Sequence, residues 1–549
     1  MFAFISQFYG FLATSNFITS KFMTSNTLHR WLIISNYLHI ESLLHRSFMT
    51  SKIDAATHEK ETNASVLSRS IRLARCFRNS GLQPGDVLSL GGRNHLDLHI
   101  PFYAALLNGL PISGVDSTFE FDEIKSLFQL SRPKIAFCEN ESHEVYKKVI
   151  NAIGLDTKVI TFGAGENSME NFIETHDTNE PFEDFQPAEF DLDKVFAFLI
   201  STSGTSGKFK LAAIKHGNMI FKMNMFSILF ITYTNQITLN LAPINWISGF
   251  YNAIGLPLAG HTKLQTSNPH NFDHIIDIIN RYKPISVLLS PSLITSFVNC
   301  KADVDLTCFR VLSLTGAKMH TEVLTQFQVT LHNLQIDAIL MEFYGMTETL
   351  GACLAPNLKG PTGSCGRRLP IYEIKLVDPE TEKEVTEPNT LGECLVKGTM
   401  FSEYYNDPEE TARTLTEDGF YKTGDLMYFD ENDNFYYVER LKGLIKFRNY
   451  HILPSELEEV IYTHPAVRDV CVCGIPDHRD RQLPVACVVT REGWSVTAQE
   501  IKDLVASKVS KPKELSGGVV FLDELPTTST GKVVRTKLLD IIMSKLSKE

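Results

Sequence analysis

No two of the ten cysteines stand in a C-x-x-C pair; the nearest neighbours, Cys471 and Cys473, have a single residue between them. That spacing excludes a zinc-binding cysteine knuckle and a disulfide framework, and it leaves reduced thiols packed in a core. Basic charge is also short. Lys and Arg number 52 against 64 Asp and Glu, a net charge of -12, so nothing offsets repulsion from a phosphate backbone and a general nucleic-acid binder is excluded. No stretch of 18 consecutive apolar residues occurs, which excludes a membrane-spanning helix. The longest uncharged run, 224–261, is broken by Asn235, Gln236, Asn240, Pro243, Asn245 and Pro257 and reads as strands and a helix around an internal pocket. No repeat of fixed period is present, which excludes a solenoid. Acidic residues are missing from 1–40, where Lys21 and Arg30 are the only formal charges and the near-repeats FITSK and FMTSN recur. A presequence, a tail without structure and an atypical start are the three readings of such a stretch, and its scarcity of Arg weighs against the first.

At 549 residues with 43% apolar composition, the chain has material for three or four domain-sized units. From Ser65 a helical pattern, SVLSRSIRLARCFRNSG, is followed by the turn and strand QPGDVLSLGG. FYAALLNG, LPISGV, EIKSLFQLS and KIAFCE continue the alternation, which indicates an α/β unit with a largely parallel sheet. A second such run spans about 196–344. From Gly363 the texture changes to short strands between Gly, Pro, Asp and Asn, with DENDN between two aromatic-rich runs marking a hairpin. These segments predict a small antiparallel barrel. After Lys442 an α+β pattern returns: LPSELEEVIYTHPAV has Pro454 suited to a first helical turn, and VRDVCVCGIPD and LPVACVVT read as strands. The expected division is 1–60 as an atypical N-terminal segment, 61–441 as a large domain and 442–549 as a smaller mobile one.

Five segments carry chemistry. In TSGTSGKFK, Thr202–Lys210, small residues leave backbone N–H groups free to surround phosphate oxygens, hydroxyls add donors and Lys210 adds charge. The spacing is not that of a Walker loop. In EFYGMTET, 342–349, Tyr344 can stack a purine and Glu348 can hold Mg²⁺, which takes one or two carboxylates beside substrate phosphates. Asp425 in YKTGDLMYF follows a glycine turn, where an acid can bind the two hydroxyls of a ribose. Arg440, Lys442, Lys446 and Arg448 crowd a domain junction, and Lys532 sits on the small-residue loop TTSTGK close to the C-terminus. Taken singly, each segment has a bland reading: a solvated loop, an ordinary turn, a charged surface.

In this order, with YGMTE, TGD, RLKGLIK and TGK intact, they resemble the acyl-adenylate-forming superfamily of acyl-CoA synthetases, coumarate–CoA ligases, beetle luciferases and nonribosomal adenylation domains. The resemblance runs from about Ser65 to the C-terminus, with its nearest textures among insect luciferase-like acyl-CoA synthetases. It implies that Thr202, Ser203, Gly204, Thr205, Ser206, Gly207 and Lys210 hold the β- and γ-phosphates of ATP, and that Gly316 and Ala317 line the adenine and acyl pocket. Tyr344, Gly345, Met346 and Thr347 fall on the adenine and α-phosphate segment, Glu348 on the Mg²⁺ ligand, Asp425 and Arg440 on the ribose and nucleotide contacts. Lys442 falls on the hinge, Lys532 on the lysine that bridges carboxylate and α-phosphate, and Lys446, Arg448 and Asn449 on the strand presented to coenzyme A.

The implied activity is an AMP-forming acid–thiol ligase that uses ATP, Mg²⁺ and coenzyme A on a small carboxylic acid. The alternatives are a luciferase-like monooxygenase and a degenerate adenylate-binding protein without activity. Five departures bear on the choice. Phe209 and Leu211 replace a Pro and a Gly of the usual phosphate loop, and Asn449 replaces a Gly beside the thiol path. Trp246 stands where a His is frequent and Phe343 where a Gly lets a flat ring lie along the strand; these two bulky residues favour an aliphatic acid over a planar one. The resemblance also points to the peroxisome, although the Ser-Lys-Leu in MSKLSKE is not terminal, as its receptor requires; cytosol and mitochondrion are the alternatives.

Overall fold

The computed structural model describes residues 51–203, 209–230, 236–268, 271–298, 300, 304–319, 321–356, 360–448, 450–527 and 533–546. Two seven-stranded sheets form its bulk. In the first, strands Ile112–Val115, Leu88–Gly91, Ile135–Cys138 and Lys158–Thr161 continue a parallel series from Phe196–Ser203. The three inner four-residue strands are buried along their whole length, because helices cover both faces and leave no solvent side on which polar residues would alternate. Asn63–Asn79, His99–Asn108 and Ile247–Leu258 pack on one face; Phe121–Ser131 and His143–Ile153 pack on the other.

The helix boundaries follow the local chemistry. Thr62 caps Asn63–Asn79 by accepting from the Ser65 amide, and Glu120 with Glu123 forms a reciprocal box ahead of Phe121–Ser131. Gly109 and Gly154 end the helices before them in the left-handed conformation.

The second sheet runs Ile339–Glu342, Val311–Leu314, Ser286–Leu289, Ile237–Leu239, Thr262–Gln265, Ser51–Asp54 and Lys60–Thr62, parallel except for the last pair. Ser51–Asp54 pairs with Thr262–Gln265, so the end of the segment set apart as 1–60 contributes a strand to this sheet. The expected antiparallel barrel is made of two sheets. One has five strands between Tyr372 and Arg440, the other comprises Tyr344–Met346, Gly351–Ala355 and Arg367–Arg368, and a Gly366–Phe435 bridge joins them. The hairpin at DENDN is present, with the Asp430 carboxylate accepting from the Asn432 and Asn434 amides. Beyond residue 441 a fifth sheet, centred on Val467–Asp477 and Arg481–Thr490, carries helices Pro454–Tyr462, Ala498–Ala506 and Arg535–Leu546. Among the described residues no helix is long and apolar enough to cross a membrane.

Candidate active site

The glycine-rich segment joins two antiparallel strands. Phe196–Ser203 pairs with Phe209–Lys215, placing Thr202 opposite Lys210 and Ser203 opposite Phe209. A strand-to-helix loop is the simpler expectation from TSGTSGKFK. The structure instead inserts the buried strand Phe209–Lys215 before the helix starts at His216, since FKLAAIK is apolar enough to extend the sheet. Gly204, Thr205, Ser206 and Gly207, together with Lys532 and Asn449, lie outside the described residues.

Lys210 does not project into open space. Its ammonium pairs with Glu410 on helix Pro408–Thr414 and lies 5.0 Å from the centre of the Tyr404 ring. Arg413 takes the other Glu410 oxygen. Burial would lift the Glu410 carboxyl, but the two cations outweigh it and hold the group below its ordinary range. Beside this cluster, Glu348 is 7% exposed and accepts a 2.7 Å hydrogen bond from the Tyr404 hydroxyl, which is itself 3.1 Å from that of Tyr421. Burial, then the Glu348 carboxylate, pushes both phenols far above their ordinary range, so both keep their protons and Tyr404 can donate to Glu348 while accepting from Tyr421. One Glu348 oxygen is thus held in place by Tyr404. A carboxylate oriented in this way suits a hard divalent cation that brings its own waters and phosphates.

A second constellation surrounds Asp425. Tyr344 donates to its Oδ2 at 2.7 Å, and Arg440 Nε lies 2.8 Å from Oδ1. Asp425 and Arg440 face each other across an antiparallel strand pair, and the Arg440 guanidinium also donates to the Thr423 carbonyl at 3.0 Å. Burial works against the Arg440 charge, and Asp425 outweighs it, keeping the guanidinium firmly protonated. The strand Tyr344–Met346 reaches this acid because Gly345 crosses directly against Gly351: a Cβ there would lie 2.1 Å from the Gly351 carbonyl oxygen. The turn that follows is tied by Thr349, which accepts from the Met346 amide at 3.0 Å and donates to the Gly351 carbonyl at 2.7 Å. Thr347 is half-buried in that turn, its carbonyl accepting from the Leu350 amide.

Of the expected acyl-pocket residues, Phe343 directly precedes this segment and Trp246 caps a helix that touches it. Phe343, half-buried, donates its amide to the Leu314 carbonyl. The next turn, Thr315–Ala317, leaves Gly316 and Ala317 exposed, with Gly316 at φ +99°. Trp246 is the N-cap of helix Ile247–Leu258, and the Tyr251 hydroxyl of that helix donates to the Leu350 carbonyl. Lys442 is exposed in the short turn Leu441–Gly443. Lys446 is exposed on Ile445–Phe447, and Arg448, at φ +53°, is engaged by Asp480 at 2.7 Å.

Tyr404, Tyr421, Glu410 and Thr349 escape the sequence reading. Glu410 is 200 positions from its partner Lys210, and no short motif advertises such a pair. Thr349 and Tyr421 differ in this respect: they lie inside EFYGMTET and YKTGDLMYF, the segments that carry Glu348 and Asp425.

Two sheets that meet at a buried acid held by an arginine, a carboxylate set beside a lysine and a separate C-terminal unit define an adenylate-forming architecture. The chain belongs to the AMP-binding enzyme family: the family's profile matches residues 47–405, and that of the AMP-binding enzyme C-terminal domain matches 456–532. It is 30% identical over 512 residues to a luciferin 4-monooxygenase of Photuris pensylvanica, covering 90% of this chain and 92% of the relative. It is 28% identical over 525 residues to a 4-coumarate–CoA ligase-like protein of Oryza sativa, covering 90% and 84%. Among solved structures, ATP-bound MatB from Rhodopseudomonas palustris superposes with a TM-score of 0.80 at 22% identity, covering 91% of this chain and 98% of that one.

Proposed function

We propose that this chain is an AMP-forming acyl-CoA ligase that activates a medium- or long-chain fatty acid. The observation that carries the reading is the Tyr344–Asp425–Arg440 constellation beside Glu348 and Lys210, which gathers on one edge the groups an adenylate requires. A carboxylate and ATP repel, so the attack on the α-phosphorus depends on charge being neutralised in advance. Asp425 orients the ribose hydroxyls, with Arg440 turning it toward the nucleotide. Lys210 leaves Glu410 for the departing pyrophosphate, supported by Thr202, Ser203 and the small residues of the loop. Glu348 would hold Mg²⁺, which supplies charge neutralisation on the phosphates. Thr347 faces the α-phosphate, and Lys532 meets the negative charge that develops there; no side-chain nucleophile takes part.

The large unit 61–441 performs this step. The unit 442–549 then turns about Lys442, withdrawing Lys532 and presenting Lys446, Arg448 and Asn449 to the thiol of coenzyme A. Trp246 and Phe343 narrow the acyl pocket to a slot that a flexible chain passes more easily than a fused ring. The luciferin 4-monooxygenase relatives at 30% identity support a second reading, oxidation of the adenylate with light emission. Pyrophosphate release across a panel of carboxylic acids, with and without coenzyme A, tests the first; light output with added luciferin tests the second. Release with fatty acids and thioester formation that depends on coenzyme A are expected, and release with luciferin alone would overturn the ligase reading.

A further inference from the structure

The two lysines at the junction of the sheets have no place in that mechanism. Lys52 and Lys263 are register partners on adjacent parallel strands, as are Asp54 and Gln265. Residues between them, Ile53 and Leu264, enter the apolar core on one face, so the period of two sends Lys52, Lys263 and Gln265 to the other. Helix His99–Asn108 covers that face. Lys263 Nζ is 2.5 Å from His99 Nε2, and Lys52 Nζ is 3.5 Å from the Tyr103 hydroxyl and 4.6 Å from its ring centre. Lys52, Lys263, His99 and Gln265 are each no more than 1% exposed.

Among the described residues no carboxylate lies within ion-pair distance of either ammonium. Glu61, which Lys52 feels electrostatically, is bound by Arg69 at 3.1 Å. Asp54 accepts from the Ala56 and Ser267 amides, and His95 faces Glu139 at 3.6 Å. Both polar atoms of the Gln265 carboxamide and the Nδ1 of His99 lack any hydrogen-bond partner. Polar groups so deeply buried are normally paired, and an unpaired buried ammonium is among the costliest groups a core can hold.

We propose that Lys52, Lys263, His99 and Gln265 enclose a binding site for one compact monoanion of carboxylate or halide size. Both ammonium groups and the Gln265 carboxamide lie on the one sheet face that helix His99–Asn108 covers, and a single negative charge among them would supply the counter-charge that no carboxylate of the described residues supplies. Burial pushes the Lys263 ammonium down to about 7, and burial with the neighbouring Lys263 charge pushes Lys52 well below its ordinary value; an enclosed anion opposes both shifts. The anion has two sources: a free ion, or the distal carboxylate of a substrate that carries two. The second would approach along the helix that Trp246 caps. Tyr103 donates to the Ala253 carbonyl of helix Ile247–Leu258, seven residues beyond its N-cap Trp246, or about 10 Å at roughly 1.5 Å per residue. This substrate arm rests on the ligase reading; the site itself does not.

Crystals of the full chain soaked in sodium bromide test the site directly. An anomalous peak between the Lys52 and Lys263 ammonium groups is expected, with a melting temperature that rises in chloride or acetate relative to gluconate for wild type and not for Lys263→Met. Pyrophosphate release with decanoate and with decanedioate separates the sources. A wild-type preference for the diacid of about tenfold, lost in Lys263→Met and in Gln265→Leu, assigns the site to substrate. A bromide peak with equal or better use of the monoacid assigns it to a free ion. Absence of bromide density, of an anion-dependent melting temperature and of any diacid preference would overturn the proposal and leave water in the cluster. The bromide arm needs no variant, so it stands if Lys263→Met fails to fold. Release with neither acid would count against the fatty-acid reading and leave the bromide result unaffected.

Discussion

Single side chains at this site are held by charge. Asp425 is 1% exposed, and both of its oxygens are engaged, by Tyr344 and by Arg440. Removing one donor from a buried, ionised acceptor costs about 1.5–3 kcal/mol. Tyr344→Phe is therefore expected to lower unfolding stability by about 2 kcal/mol in a denaturant titration and to weaken ATP binding; unchanged stability would mean that the hydroxyl is spent elsewhere. Phe343 acts through shape. Phe343→Gly should raise kcat/KM for coumarate relative to fatty acids while leaving pyrophosphate release intact, and a wild-type preference for planar acids would sink the pocket argument. Lys532→Ala should abolish adenylation and spare thioester formation from a supplied acyl-adenylate; equal loss of both half-reactions would refute its assigned role. YGMTE, TGD and TGK are local strings whose chemistry needs neighbours in sequence, and so they are legible. Glu410 and Tyr404 are not, because their roles exist only once the first sheet has brought its strand Glu403–Tyr404 beside Phe209–Lys215.

Elements decide how the site is assembled and how it moves. Helix Pro454–Tyr462 buries Glu458, whose carboxylate accepts from the Val472 amide and lies 3.7 Å from Arg535. Burial, only partly offset by Arg535, lifts Glu458 to about 7. Its folded value is therefore above its unfolded one, near 4.5 in its ordinary state. Such a group contributes stability that is full at low pH and is lost as pH rises through about 7. Glu458→Gln should flatten the decline in stability between about pH 4.5 and 7, measured by urea unfolding; an unchanged slope would place the titration elsewhere. Proline at the turn Leu441–Gly443 would fix φ near roughly −65°. Lys442→Pro is expected to keep adenylate formation and block thioester formation, and normal turnover of coenzyme A would move the hinge.

At the scale of the whole molecule, alternation of apolar strands and helices is enough to announce two parallel sheets, since each element's period is written in its own residues. The joining of these sheets is less visible. SKID carries Lys52 and Asp54 at positions that a buried strand would normally fill with apolar residues, so the segment reads as an N-terminal appendage although Ser51–Asp54 pairs inside the second sheet. The hairpin around the glycine-rich segment is hidden for the opposite reason: FKLAAIK is consistent with a strand, but nothing local says that it turns back onto Phe196–Ser203.

The central claim, adenylation of a fatty acid followed by transfer to coenzyme A, is tested most directly by mass spectrometry of a single reaction. Full-length protein, ATP, magnesium and a series of saturated fatty acids are incubated with and without coenzyme A. The account predicts acyl-AMP without coenzyme A, acyl-CoA with it, and pyrophosphate equal to the acid consumed, with kcat/KM rising along the short chains to a plateau. Neither acyl-AMP nor acyl-CoA from any fatty acid, under conditions where the protein is folded and binds ATP, would contradict it.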